Sequence, residues 1–213
     1  MAHVQSRSIA MSTKTLLQIN TSLSGELGAS TQLGDALVQR WLRQNPGGRV
    51  IRRDLAAQPL PHLDGARFGA FSTPAAERSP QQQAVVDESD ALIAEVQAAD
   101  VVVLAAPMYN FGMPSQLKAW FDHIARAGVT FRYSASGPVG LIGDRKVYVV
   151  TTRGGRHKGT PADTLSGHVT LLLNLIGIRD IEFVYAEGLN LGADVKASAL
   201  ALATAAIEQR LAA

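Results

Sequence analysis

Strands and helices are expected to alternate along this chain, and that alternation leaves few folds open. The runs "TKTLLQIN" (13–20), "RVIRRDL" (49–55), "DVVVLAAP" (100–107), "RKVYVVTT" (145–152) and "RDIEFVYAE" (179–187) read as strands. Between and after them, segments 31–45, 80–99, 114–127, 162–178 and 193–213 read as helices, the first with Leu33, Leu37, Val38 and Trp41 at helical spacing. Such an order predicts βαβ units and one parallel sheet covered on both faces, an α/β fold. The near-continuous apolar strands agree, because parallel strands are buried on both sides. The stretch between 56 and 79, rich in Pro, Gly and Ser, reads as irregular, and "VTFRYSASGPVGLIGD" (129–144) as a short hairpin on the rim. Residues 1–12 read as a disordered tail, with Met11 a candidate start, and 13–213 as a single domain.

Composition removes several classes of function. Hydrophobic residues make up 46% of the 213, enough for a sizeable core. Lys and Arg number 20 against 18 Asp and Glu, with no basic run, which argues against nucleic acid as a partner. Cysteine is absent, so disulfides, thiolate metal sites and a cysteine nucleophile are excluded. The apolar run "VVVLAAPM" is far shorter than the ~20 residues of a membrane helix, and the opening residues lack the apolar centre of a signal peptide. No membrane association is expected, and a cytoplasmic enzyme is. The five histidines show no ligand spacing, so no metal site is expected. No G-x-S-x-G elbow appears either.

In an open parallel sheet, ligands bind beyond the carboxyl ends of the strands, at the switch point in strand order. The loop after the first strand, "NTSLSGELGAST" (20–31), has five hydroxyl residues, two glycines and the start of a helix. Free N–H groups and the positive dipole end favour an anion there. The loop has no lysine, so it is no P-loop. It is not G-x-G-x-x-G either, so a single phosphate fits it better than a pyrophosphate. The plain alternative makes Ser30 or Thr31 the helix cap. After the third strand, "PMYNFGMPSQLKAW" (107–120) places Met108, Tyr109, Asn110 and Phe111 on a turn that is usually small and polar. A flat apolar ligand would use such a turn; the alternative folds the aromatics back onto the protein. After the fourth strand, "TTRGGRHKG" (151–159) offers paired glycines, which let backbone approach a ligand closely. One loop suits a phosphate, one a flat aromatic body and one a polar ring edge. FMN has those three parts, and in strand order 2-1-3-4-5 the first and third strands adjoin at the switch point.

The stretches "PMYNFGMPSQLKAWFDHIARAGVTFRY", "GPVGL", "RKVYVVTTRGG", "RDLAAQPLPHLDG" and "FVYAEG" resemble the FMN-dependent NAD(P)H:quinone reductases known as azoreductases, of flavodoxin-like fold. The resemblance runs from about Lys14 to the last helix. It implies a homodimer with one FMN per subunit at the interface, and hydride transfer from NADH or NADPH through FMN to quinones and azo compounds. Three loops holding the flavin by its phosphate, one ring edge and one face would leave one open face, so a ping-pong mechanism is expected. Carried over by position, Ser22, Gly28, Ala29 and Ser30 match the phosphate-binding residues. Met108, Tyr109, Asn110 and Phe111 match the turn against the isoalloxazine, and Thr152, Arg153, Gly154 and Gly155 the loop at its pyrimidine end. The chain departs from the family where Ser often stands at the position of Gly28 and at that of Thr152, and it diverges more over 65–80. The cofactor carries the chemistry, so no catalytic side chain is required. Tyr133 and His157 are candidate substrate-side contacts, Tyr133 toward the partner subunit, with hairpin packing as the alternative. Arg153 is a candidate to stabilise charge on the ring, with a surface or dimer salt bridge as the alternative. The rival functions are a flavodoxin-like electron carrier and a flavin or quinone sensor, neither of which turns over NAD(P)H.

Overall fold

The computed structural model describes residues 13–211, so the expected tail over 1–12 lies outside the described residues. Five parallel strands form the central sheet: β1 (Thr15–Asn20), β2 (Arg49–Asp54), β3 (Val101–Ala105), β6 (Lys146–Thr152) and β7 (Ile181–Ala186). Their spatial order is β2-β1-β3-β6-β7. The numbers differ from the expected 2-1-3-4-5 because two further strands, β4 (Phe131–Ser134) and β5 (Gly137–Gly140), come between β3 and β6 in the chain. They pair antiparallel as a separate hairpin at the expected place.

The helices are α1 (Ala29–Gln44), α2 (Gly65–Ser72), α3 (Pro80–Ala98), α4 (Ser115–Ile124), α5 (Thr164–Leu175) and α6 (Ala193–Arg210). Alternation within the strands divides them between two layers. Leu17, Ile19, Val102, Leu104, Val147 and Val149 face α3, α4 and α5 in one buried cluster. Leu16, Val103, Tyr148, Val150 and Val184 face α1 and α6 in the other. Successive side chains of a strand point to opposite faces, so apolar runs such as "VVVLA" supply both cores at once.

Helix boundaries follow local chemistry. The hydroxyl of Ser79 accepts from Gln82 N–H while the Gln82 side chain accepts from Ser79 N–H, a capping box with Pro80 in the first turn of α3. Downstream of α5, Gly177 has φ of 100°, the left-handed conformation suited to a helix end. The reading of 56–79 as irregular missed α2. Eight residues of modest apolar content gave no periodic signal, and the helix is set by the Asp64 carboxylate, which accepts from Arg67 N–H at 2.8 Å, and by packing on α3. Among the described residues, no helix is long and apolar enough to cross a membrane.

Candidate functional site

The loops after β1, β3 and β6 meet at two adjoining clefts of about 370 and 240 Å³, because the carboxyl ends of parallel strands share one edge of the sheet. Met108, Arg153 and Gly154 line both.

After β1 the chain makes a 3-10 turn, Gly25–Leu27, and enters α1 with Gly28 as its N-cap and no side-chain cap. Neither Ser30 nor Thr31 is therefore the cap. The first α-type bond runs from Gln32 N–H to Gly28 O at 2.9 Å, so the amides of Ala29, Ser30 and Thr31 have no acceptor among the described residues. Ser30 is only 1% exposed, yet its hydroxyl has no partner either. A buried hydroxyl left unpaired costs about 1–3 kcal/mol. Bare amides, that hydroxyl and the helix dipole together make an anion cradle. Gly28 keeps it compact: a Cβ there would lie 2.1 Å from Ser22 Oγ. The serine frequent at this position in the family could enter only if Ser22 turned away.

After β3, Tyr109 and Gly112 exchange both backbone hydrogen bonds, each at 3.0 Å, around Asn110 and Phe111. These two residues have φ of 49° and 68°. Asn tolerates the left-handed region; a phenylalanine there costs about 1–2 kcal/mol. The strain turns the Phe111 ring outward, 55% exposed and edge-on to His157 at 5.4 Å, rather than back into the core. The turn is tied to both neighbouring loops. Leu23 N–H donates to the Tyr109 hydroxyl at 3.1 Å, and Met108 N–H donates to Thr152 O at 2.9 Å.

After β6, Arg153 behaves unlike a surface or dimer salt bridge. Its side chain is fully buried and pairs within the chain, with Asp163 at 2.7 Å and Glu187 at 3.3 Å, and it lies over the Tyr185 ring. The Glu187 carboxylate also accepts from His157 N–H and Lys158 N–H, each at 2.8 Å. Arg153 thus borders the cleft without offering it a free polar group, since its N–H donates to Ala186 O at 2.9 Å, whereas the N–H groups of Gly154 and Gly155 have no acceptor among the described residues. A Cβ on Gly154 would lie 2.5 Å from the Asn190 side chain. Thr152 is buried and lines the larger cleft.

The structure therefore brings together all the residues expected at the three loops, with His157 in the smaller cleft and Gly155 beside it. Tyr133 is apart. It stands on β4, 75% exposed and edge-on to Phe131 at 5.4 Å, and lines neither cleft of its own chain. Sequence reasoning missed Asn190 and Lys196, which reach the larger cleft from the β7–α6 loop and the first turn of α6. The signal was available, since "EGLNLGAD" also follows a strand of the same sheet. A third cleft, of about 560 Å³, lies between β7 and α6 and holds none of the residues expected from sequence.

Comparison with known proteins bears on this site. A family described as flavodoxin-like fold matches residues 14–211. An FMN-dependent NADH:quinone oxidoreductase of Cellvibrio japonicus is 55% identical over 199 residues, 93% of this chain and 99% of that protein. FMN-dependent NADH:quinone oxidoreductase 6 of Burkholderia lata is 53% identical over 193 residues, 91% of this chain and 98% of that one. Among solved structures, an azoreductase from Bacillus anthracis superposes with a TM-score of 0.84 at 25% identity, covering 93% of this chain and 98% of that one.

The Arg153 network generates a prediction. Burial raises the Asp163 carboxyl, but hydrogen bonds from Arg153 and Ser166 and the Arg153 charge outweigh it and hold the group below its ordinary range. A carboxyl lowered by folding stabilises the fold fully above its unfolded value, about 3.9, and that contribution is lost as pH falls through the folded value. Asp163→Asn should cost about 3 kcal/mol at pH 7, the low end for breaking a buried pair because Glu187 remains. The difference from the parent should shrink below pH 4. Urea unfolding at pH 7 and pH 3 measures both; equal stability at pH 7 would contradict the assignment.

Proposed function

The chain belongs to the family of FMN-dependent NADH:quinone oxidoreductases and azoreductases, of flavodoxin-like fold, and from that membership we propose that it passes two electrons from NADH to quinones and azo compounds at the paired clefts. The observation that carries this reading is the fit of those clefts to FMN. A buried, unpartnered Ser30 hydroxyl and three bare amides stand at one end, and an outward aromatic turn and bare glycine amides at the other. When bound, FMN supplies the redox chemistry between nicotinamide and acceptor.

The protein's part is binding and orientation, within one domain spanning 13–213. Ser22, Ser30 and the bare amides of Ala29, Ser30 and Thr31 hold the phosphate, and Gly28 keeps the cradle compact. Met108, Tyr109, Asn110 and Phe111 form the bed for the ring, and their outward set is fixed by the turn closed between Tyr109 and Gly112. Thr152 and the free N–H groups of Gly154 and Gly155 present donors to its polar edge, where fixed N–H groups stabilise negative charge without reorganising, and Arg153, whose own N–H donates to Ala186 O, holds that loop in place. His157, against Phe111, borders the space open to donor and acceptor.

Four expected outcomes test the proposal. Denaturation of the purified protein should release FMN, and Ser30→Ala should weaken FMN binding roughly 10- to 150-fold, the loss of one hydrogen bond to a charged group of about 1.5–3 kcal/mol. Unchanged affinity on titration would remove Ser30 from the phosphate site. Initial rates with NADH and a quinone should give parallel double-reciprocal lines. Donor and acceptor each need reacting atoms within about 3–3.5 Å of the same ring position, and two flat molecules cannot share it. Intersecting lines would mean that both bind together. Finally, exposed Phe111 at the site and exposed Tyr133 on the separate hairpin favour a homodimer in which a second copy covers the ring and its Tyr133 reaches the site. Bound FMN should stabilise such an assembly by mass action. Sedimentation of the FMN-loaded protein as a monomer at micromolar concentration would overturn this.

A further inference from the structure

The cradle at the start of α1 offers a phosphate only neutral groups. From Thr21 to Gln32 the chain has no basic residue, and it carries an acidic one, Glu26. A phosphate monoester near neutral pH bears close to two negative charges. Among the described residues, two cationic ones line the larger cleft and no acidic one does. One is Arg153, whose charge is already matched by Asp163 and Glu187 in the interior. The other is Lys196, exposed in the first turn of α6. Among the described residues, no carboxylate lies within salt-bridge distance of its ammonium.

The position of Lys196 is unfavourable for the helix itself. A cation in the first turn opposes the helix dipole, while Asp194, in the same turn, complements it. Asp194 lines the third cleft, between β7 and α6, and not this one. The two charges of the turn therefore serve different clefts. The unpaired lysine shares its cleft with the buried, unpartnered hydroxyl of Ser30. An anion in that cleft would give the hydroxyl its missing partner and the ammonium a counter-charge.

We propose that Lys196 is the cationic partner of the flavin's phosphate and sets a preference for phosphorylated flavin over riboflavin. The proposal rests on the FMN reading above and adds to it a residue from the opposite end of the chain. An ammonium on a flexible stem suits this task, acting as a point charge on a group whose geometry the α1 amides already fix. Exposure and salt keep the interaction modest.

The test is titration of the full-length protein, stripped of flavin, with FMN and with riboflavin, followed by quenching of flavin fluorescence. Lys196→Met keeps the length of the side chain and removes its charge. It should weaken FMN about tenfold at low salt and leave riboflavin within about twofold, so that the preference for FMN falls by the same factor. The FMN affinity of the variant should also depend less on salt than that of the parent. Lys196→Arg should restore most of the preference. If Lys196→Met keeps the full preference, or weakens both flavins equally, Lys196 is not the phosphate's partner, although FMN binding by the parent still supports the proposed function. If the parent binds neither flavin, both readings fall together.

Discussion

The site depends on a charge held in the interior. Arg153 follows directly on β6, and its guanidinium has no access to water. A buried cation is tolerated only when it is paired and hydrogen-bonded, and Asp163, Glu187 and Ser166 meet that requirement from the start of α5 and the end of β7. The pairing fixes where α5 begins, since the same Asp163 carboxylate caps that helix by accepting from Ser166 N–H. It also fixes the glycine loop, because Glu187 holds the amides of His157 and Lys158. Arg153 thus shapes the cleft without presenting its charge there.

A second constraint runs the other way, from the site into the backbone. Asn110 and Phe111 both occupy the left-handed region, and glycine, which would remove the strain, is absent from both positions. Such strain persists only where surrounding contacts over-determine the conformation. Those contacts are the paired bonds between Tyr109 and Gly112, the Tyr109 hydroxyl on Leu23 and the Thr164 hydroxyl on the Phe111 carbonyl. With glycine at 111 the ring would be lost, and with an ordinary φ it would not face outward. The bulky turn after the third strand is thereby explained: its aromatic surface belongs to the cleft and not to the core.

The same edge of the sheet collects contributions from distant parts of the chain, which gives the cleft two unlike ends. At the α1 end the groups are polar and uncompensated, with a lysine from α6 beside them. At the other end a methionine, a phenylalanine and a histidine surround backbone donors. A ligand that fills both must join an anion to a flat apolar body with a polar rim. That demand is narrower than any of the three loops makes singly, and it agrees with the cofactor in the names of the chain's relatives.

Sequence alone determined the layers of the fold and the loops that line the paired clefts. Apolar runs separated by helical periods allow little besides a doubly wound parallel sheet, and the strand ends of such a sheet share an edge whatever the details. Turn chemistry was legible too, in the glycines at 154 and 155 and the aromatics at 109 and 111. Helix α2 was not, because one carboxylate cap and packing on α3 stabilise it without a periodic stripe. The partners of Arg153 and the placement of Lys196 on the larger cleft were decided only by tertiary structure. An arginine beside two glycines reads as a ligand contact until Asp163 and Glu187, 10 and 34 residues away, are found around it. That Lys196 borders the cleft follows only once α6 is packed beside α1. Charge acts through space, and the sequence records only its order along the chain.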